Sequence, residues 1–320
     1  MTRFPLLPAF TALLALATPR LCNAKCGEIL SGLTKVEKLT QQHHSTVLLR
    51  CYGYRETDAG FVIVRDGKAQ EFSPELRYKK TSTWFLSTDG TKVAYRGDLD
   101  KSYELAVFDL VNRKMSVLYS RDDQFSIVGW TPDSLELAIK SASSDQLEFI
   151  RLADGVVART VRLNADDSGQ LLMSPDLQKA ILLQPVGSLG DKKDFSRMRM
   201  STVDLSNGRK NYLIDGNDAT WSPRGDQIAY CNALESNCFV MSPSGGKPKH
   251  LFGARSKLSA AFLYSSFRGP LVWSPDQRFL VFHEPAGLKG SENNAYVYDL
   301  QRKKKTKILS DVRISVEEWK

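Results

Sequence analysis

From Ser45 onward, hydrophobic and polar positions alternate in short runs, the period of half-buried strands. The clearest run is Thr220-Trp221-Ser222-Pro223-Arg224-Gly225-Asp226-Gln227-Ile228-Ala229-Tyr230. Trp221 closes one strand, and Ile228-Ala229-Tyr230 opens the next. Between them Ser222-Pro223-Arg224-Gly225 fits a type I turn, with Pro setting φ at its second position and Gly free to take φ > 0. The pattern recurs at Trp84-Phe85-Leu86-Ser87-Thr88-Asp89-Gly90, Trp130-Thr131-Pro132-Asp133, Met173-Ser174-Pro175-Asp176 and Trp273-Ser274-Pro275-Asp276. The second turn position falls at 88, 132, 175, 223 and 275, a period of 43–52 residues. A period of that length with several short strands per unit predicts a propeller or a similar array. Each unit must then bury its faces against its neighbours.

A third strand recurs too. Leu105–Leu110, Met200–Leu205 and Tyr296–Leu300 each end an apolar run in Asp-Leu and are followed by a turn and an outer strand, such as Lys114–Tyr119 or Thr306–Leu309. The first unit, with strands at Thr46–Cys51, Gly60–Arg65 and Ala69–Ser73, lacks the strand that should precede them. Arg313–Trp319 matches the missing strand, and Trp319 follows Trp273 by 46 residues. The prediction is an all-β, six-bladed propeller of four-stranded antiparallel blades over 45–320, its ring closed by the C-terminal strand pairing into the first blade, which removes a free sheet edge. The remaining blades fall at roughly 80–120, 125–163, 168–214, 217–252 and 270–310. Residues 25–44 form an N-terminal arm. Within Lys25–Gln42, Ile29, Leu30, Leu33, Val36 and Leu39 are spaced for a short amphipathic helix, which Gly32 weakens.

Residues 1–24 read as a secretory signal: Arg3 at the positive end, an apolar run over Ala9–Ala17, and cleavage after Ala24. That run is too short to span a bilayer and no later stretch is long enough, so no transmembrane segment is expected and the location is periplasmic or secreted. Without the signal the chain carries 42 basic and 36 acidic residues. A balance this mildly basic is no argument for nucleic acid, which asks for a clustered stripe. Four cysteines remain, and in an oxidising compartment they suggest Cys231–Cys238 across a short loop, with Cys26–Cys51 pinning the arm to the first blade.

Repeated Trp-Ser-Pro-Asp-(Gly), then Ile-Ala-Tyr, then Val-Tyr-Asp-Leu, resembles the TolB-like β-propeller family over about residues 45–319. The resemblance implies a non-catalytic docking platform with a protein partner in the cell envelope. It covers neither the N-terminal α/β domain of TolB nor a peptidase domain. Glycine is kept only at Gly90 and Gly225 among the turns. Ser134, Leu177 and Gln277 stand at the others, which predicts either different turn forms or backbone strain there.

Antiparallel blades send successive loops to alternate faces. The Ser-Pro-Asp turns therefore share a face with the third-to-fourth-strand turns, and the second-to-third loops share the other with the blade connections. The longest insertions, Pro185–Ser196, Gly253–Gly269 and Glu284–Asn294, with Tyr54–Ala59 and Gly97–Ser102, all fall on that second face. Variable loops on a rigid scaffold commonly carry function, so this face is the expected binding surface, with tolerated insertion as the alternative. Its candidate residues are Tyr54, Tyr264 and Phe267 as stacking platforms, Arg268, Lys192 and Lys193, and the pair His283-Glu284 at a strand end, where a His beside a carboxylate could do acid–base work.

The turn face is basic through Lys68, Arg113, Lys114, Arg209, Lys210, Lys247, Lys249 and Arg302–Lys305. A solvated rim accounts for these charges; a cell-wall polymer or another anionic surface is the competing reading. The turn acids Asp89, Asp133, Asp176 and Asp276 repeat too regularly for catalysis and are read as acceptors for backbone N–H groups. The repeated tryptophans are read as blade packing. No Gly-x-Ser-x-Gly elbow, phosphate loop, EF-hand or zinc spacing occurs, so no catalytic residue, metal or cofactor is expected. Three functions share this scaffold: a protein-binding platform, a propeller glycoside hydrolase or lactonase, and a glycan-binding module.

Overall fold

The computed structural model describes residues 33–51, 60–72, 80–163, 169–186, 198–232, 237–253, 271–285, 293–312 and 314–320. It begins with helix α1 (Thr34–His43), followed by β1 (Thr46–Cys51), β2 (Gly60–Arg65) and β3 (Lys68–Phe72) of blade 1. The expected helix from Lys25 is thus seen from Thr34, and residues 25–32 lie outside the described residues. Blade 2 holds β4 (Lys80–Leu86), β5 (Lys92–Asp98), β6 (Tyr103–Asp109) and β7 (Lys114–Arg121). Blade 3 holds β8 (Phe125–Trp130), β9 (Glu136–Ser141), β10 (Gln146–Arg151) and β11 (Val157–Arg162). In blade 4 the strands are β12 (Gln170–Met173), β13 (Lys179–Pro185), β14 (Met198–Asp204) and β15 (Lys210–Asp215). Blade 5 comprises β16 (Asn217–Trp221), β17 (Ile228–Asn232), β18 (Asn237–Met241) and β19 (Lys249–Gly253). Blade 6 comprises β20 (Val272–Trp273), β21 (Phe279–Pro285), β22 (Asn293–Asp299) and β23 (Lys304–Val312), and the last strand is β24 (Ile314–Trp319).

Five sheets run in chain order, and the sixth runs β24-β1-β2-β3. β24 lies antiparallel to β1, with Val47 opposite Trp319 and Cys51 opposite Ile314. Beyond it the Thr46 N–H donates to Lys320 O (2.6 Å) and the Lys320 N–H to Thr46 O (2.9 Å). The predicted closure is therefore the observed one. Helix α1 packs over blade 1 against blade 6. Leu33 and Val36 join a core with Val47, Val62, Val281, Val297 and Trp319. Lys35 Nζ donates to Lys307 O (2.9 Å), tying the helix to the outer strand of blade 6.

The recurring turn works through its hydroxyl. Ser274 Oγ donates to Asp276 Oδ1 (2.6 Å) and accepts the Phe279 N–H (2.8 Å), while Asp276 Oδ1 also accepts the Arg278 N–H (3.0 Å). The same set holds the turns at Ser87, Thr131 and Ser174. At Ser222 the hydroxyl reaches Asp226 instead (2.8 Å). The turn acids are thus backbone acceptors, as their repetition predicted. In the third-strand motif Asp299 accepts from the Gln301 and Arg302 N–H groups, and the Leu300 N–H donates to Arg278 O (2.9 Å). That bond stitches the third-to-fourth turn onto the Ser-Pro-Asp turn and puts both on one face.

The fourth turn position is left-handed whether or not it is glycine: φ is 68° at Gly90 and 72° at Gly225, and 59°, 56° and 60° at Ser134, Leu177 and Gln277. Of the two outcomes foreseen for the non-glycine turns, strain is the one adopted. In blade 2 Leu86 occupies the position before the turn that Trp130, Met173, Trp221 and Trp273 hold in the others. Trp84 sits one strand period earlier on the same face and stacks on Tyr95 at 4.3 Å between ring centroids. Trp84, Trp130, Trp221 and Trp273 are buried. Trp130 Nε1 donates to Phe85 O (3.0 Å) and Trp221 Nε1 to Leu172 O (2.8 Å), each reaching back to the preceding blade.

Two outcomes follow for urea unfolding. Gly225→Ala adds a Cβ whose nearest neighbour is Pro175 Cδ at 3.5 Å, so it should cost only the left-handed strain, about 1 kcal/mol. Gly90→Ala should cost clearly more, because its Cβ would meet Thr46 Oγ1 at 2.9 Å. Deleting residues 314–320 exposes the β1 edge and should replace the cooperative transition by aggregation, read by size-exclusion chromatography and circular dichroism.

Candidate functional site

The six inner strands converge at the turn face on a cavity of about 380 Å³, the mouth of the central channel. Its rim is built from the second turn positions, Thr88, Pro132, Pro175, Pro223 and Pro275, with Glu318-Trp319-Lys320 standing in for the sixth blade position. Proline is placed there because the turn needs φ near −65° and no N–H, and the ring symmetry then aims these residues at one axis. Deeper lining comes from strand residues such as Leu86, Val128, Gly129, Leu172 and Trp221. One carboxylate, Glu318, lies in the lining, and its Oε2 accepts the Leu86 N–H at 2.9 Å. A Cβ built on Gly129 would meet nothing within 4 Å, so the space above it is open. The third-to-fourth turns stand outside this mouth on the same face, and Lys68, Arg113, Lys114, Arg209, Lys210, Lys247 and Lys249 are exposed there.

On the opposite face, two of the residues named from the sequence, His283 and Glu284, are described. Tyr54, Lys192, Lys193, Tyr264, Phe267 and Arg268 lie outside the described residues. His283 and Glu284 are successive residues of β21, so their side chains leave opposite faces of the sheet. His283 is fully buried, and burial pushes its pKa down to about 4, leaving the imidazole neutral at pH 7. Glu284 Oε1 accepts from Lys305 Nζ at 2.5 Å. Asp123 accepts from Ser141 Oγ (2.6 Å) and Ser143 Oγ (2.8 Å) and pairs with Arg121. The two hydroxyls, then the guanidinium, hold its carboxyl down to about 2. Cys231 and Cys238, opposed in the β17–β18 register, form the expected disulfide. Cys51 is buried, and its expected partner Cys26 lies outside the described residues.

One residue of the inner strands escaped the sequence reading. Asp218 sits in an irregularity of β16, between Asn217 and Thr220, with φ at 51°. Burial pushes its carboxyl up to about 6. Nothing in Gly-Asn-Asp-Ala marks it, because the bulge is a property of pairing rather than of composition. Among the described residues no three His, Cys, Asp or Glu side chains gather as a metal-binding group, and no helix is long and apolar enough to cross a membrane.

These features define a six-bladed, strand-closed β-propeller with an apolar channel mouth. Among solved structures, TolB from Acinetobacter baumannii is similar over 87% of this chain and 67% of its own, with a TM-score of 0.61 and 14% identity. A chain of a nidogen/laminin complex is similar over 86% and 97%, at 0.55 and 13%. An oligogalacturonate lyase in complex with manganese is similar over 70% and 63%, at 0.51 and 17%. At such identities the likeness is one of fold, and the described residues form a TolB-like propeller preceded by one helix. Comparison with protein-family models and with curated proteins gives no match.

Asp218 makes a pH dependence. Its folded pKa lies above the unfolded value, so its contribution falls as pH rises from about 4 to 6 and stays unfavourable above that. Asp218→Asn keeps a residue type that tolerates φ > 0 and should raise stability by about 1–2 kcal/mol at pH 7, with the gain vanishing below pH 4. Denaturant titrations at the two pH values check it.

Proposed function

We propose that this chain is a non-catalytic, protein-binding propeller of the cell envelope, exported by residues 1–24. The observation that carries the reading is the mouth at the turn face. Its rim is four prolines completed by Thr88 and Glu318-Trp319-Lys320, its lining is more apolar than polar, and the Glu318 carboxylate accepts a backbone N–H. An apolar recess with few polar groups, held on a rigid ring, is built to receive a side chain or chain segment. Acid–base chemistry would instead ask for convergent titratable groups. The similar chain of the nidogen/laminin complex supports the same reading, since that structure is a complex of two proteins. The face at which β13 ends at Pro185 and β19 at Gly253 is the second surface offered to a partner.

The test is crosslinking of tagged residues 25–320 in the native envelope fraction, with captured proteins read by mass spectrometry. Gly129→Trp fills the open space of the mouth and should abolish capture of a stoichiometric partner, while Gly129→Ala should not. Capture that survives Gly129→Trp and disappears on shortening 187–197 or 254–270 would move the docking surface to the loop-rich face. Recovery of the propeller alone would overturn the protein-binding reading. Turnover or retention of glycans or lactones by the purified chain would then decide for a glycoside hydrolase, a lactonase or a glycan-binding module.

A further inference from the structure

A second recess lies at the ring seam, between α1 and the face of blade 6 turned toward it, with a volume of about 620 Å³. One wall is a single stripe of the helix, Lys35, Lys38, Leu39, Gln42 and His43. The floor is one face of three adjacent strands. Phe279 pairs with Asp299, Asp299 with Lys304, and Val297 with Thr306. Phe279, Val297 and Ile308 are buried there and Thr306 is exposed. The floor is therefore apolar in its depth and open along its middle.

The charges at its edge are nearly all positive. Lys35, Lys38, Arg302 and Lys304 are exposed. Of the acids, Asp299 is held by Arg278 Nη2 at 2.9 Å, and Asp276 pairs with His43 Nδ1 at 3.3 Å. Lys38 and Lys304 make no ion pair with any described residue. Arg302 Nε lies 4.0 Å from Asp299 Oδ2, which it shares with Arg278, so the seam combines an apolar groove with a border that keeps a net positive charge through Lys35, Lys38 and Lys304.

We propose that this groove is a docking site for an acidic, extended segment of a partner protein, its carboxylates meeting Lys38, Arg302 and Lys304 and its apolar side chains seated over Val297 and Thr306. Charge complementarity sets the sign of the occupant. It also argues against the chain's own N-terminus, because residues 1–24 carry two arginines and no acid, and residues 25–32 one lysine and one glutamate. The recess between helix and sheet argues for a single chain over a bilayer, since a flat lipid surface reaches the exposed rim and not the floor. Asp276, which pairs with His43 of this recess, adjoins Pro275 of the channel mouth, so the two sites are neighbours. The inference stands independently of whether the mouth is occupied.

The experiment uses purified residues 25–320 and a short fluorescein-labelled peptide alternating Glu with Leu, read by anisotropy. Binding should weaken with added salt. The triple variant Lys38→Glu, Arg302→Glu, Lys304→Glu alters exposed residues only, and should weaken binding by at least about tenfold. Thr306→Trp fills the groove without changing its charge and should weaken binding comparably, whereas Gly129→Trp should leave it unchanged. Circular dichroism verifies that each variant is folded. Peptide binding that is equal in wild type and triple variant overturns the proposal. So does loss on charge reversal with full retention in Thr306→Trp, which would reduce the effect to diffuse surface charge. Phosphatidylglycerol vesicles or polygalacturonate binding more tightly than the peptide, with the same sensitivity to the triple variant, would equally overturn it in favour of a lipid or polymer ligand.

Discussion

The pairing of β24 with β1 is the contact on which the ring depends. Each blade buries both faces of its sheet against neighbours, so no blade is stable until its ring is complete. Blade 1 arrives with three strands and acquires its inner strand from the far end of the chain. Trp319 carries that strand into the core shared by blades 1 and 6, and its Nε1 donates to Ser45 Oγ at 2.7 Å. Helix α1 lies over the same seam. Its inner stripe completes the core that two blades alone leave open, and its outer stripe forms the basic groove. Closure and groove are thus two sides of one packing solution.

The Ser-Pro-Asp turn connects this scaffold to function. Its hydroxyl and carboxylate satisfy the backbone N–H groups of a tight reversal, which leaves its proline free to face the channel axis. Five-fold repetition, completed by Glu318-Trp319-Lys320 at the sixth position, then converts a local turn preference into a proline-rich rim around one opening. The structural demand is strong enough that Ser134, Leu177 and Gln277 accept a backbone conformation suited to glycine. The same stitching that ties the Asp-Leu motif to this turn also gathers the exposed lysines and arginines on the mouth's face.

Much of the scaffold was legible because each blade repeats the same local rules. Blade number, strand boundaries, closure, the role of the turn acids and the Cys231–Cys238 bridge all follow from alternation and turn chemistry. Trp84, one strand period before the position that tryptophan holds in other blades, packs into the same core face as Leu86, as the reading of the repeated tryptophans expected. The candidate site was less legible. Long insertions drew attention to the loop-rich face, while the mouth is made of residues whose evident duty is to form turns. His283 and Glu284 looked like a pair because they are adjacent in sequence, yet adjacency in a strand sends side chains apart.

What the amino-acid sequence determined by itself is therefore local and repetitive: strands from their alternation, turns from Ser, Pro, Asp and Gly, and six units from their spacing. Convergence belongs to the tertiary structure. Only the closed ring brings prolines 43–52 residues apart to a common mouth, lifts the pKa of Asp218 in an irregular inner strand, and lays Lys38 of the helix beside Lys304 of the last blade. The reason is physical: a turn or strand is specified by neighbours along the chain, but a cavity and its field are sums over elements that the chain does not place side by side.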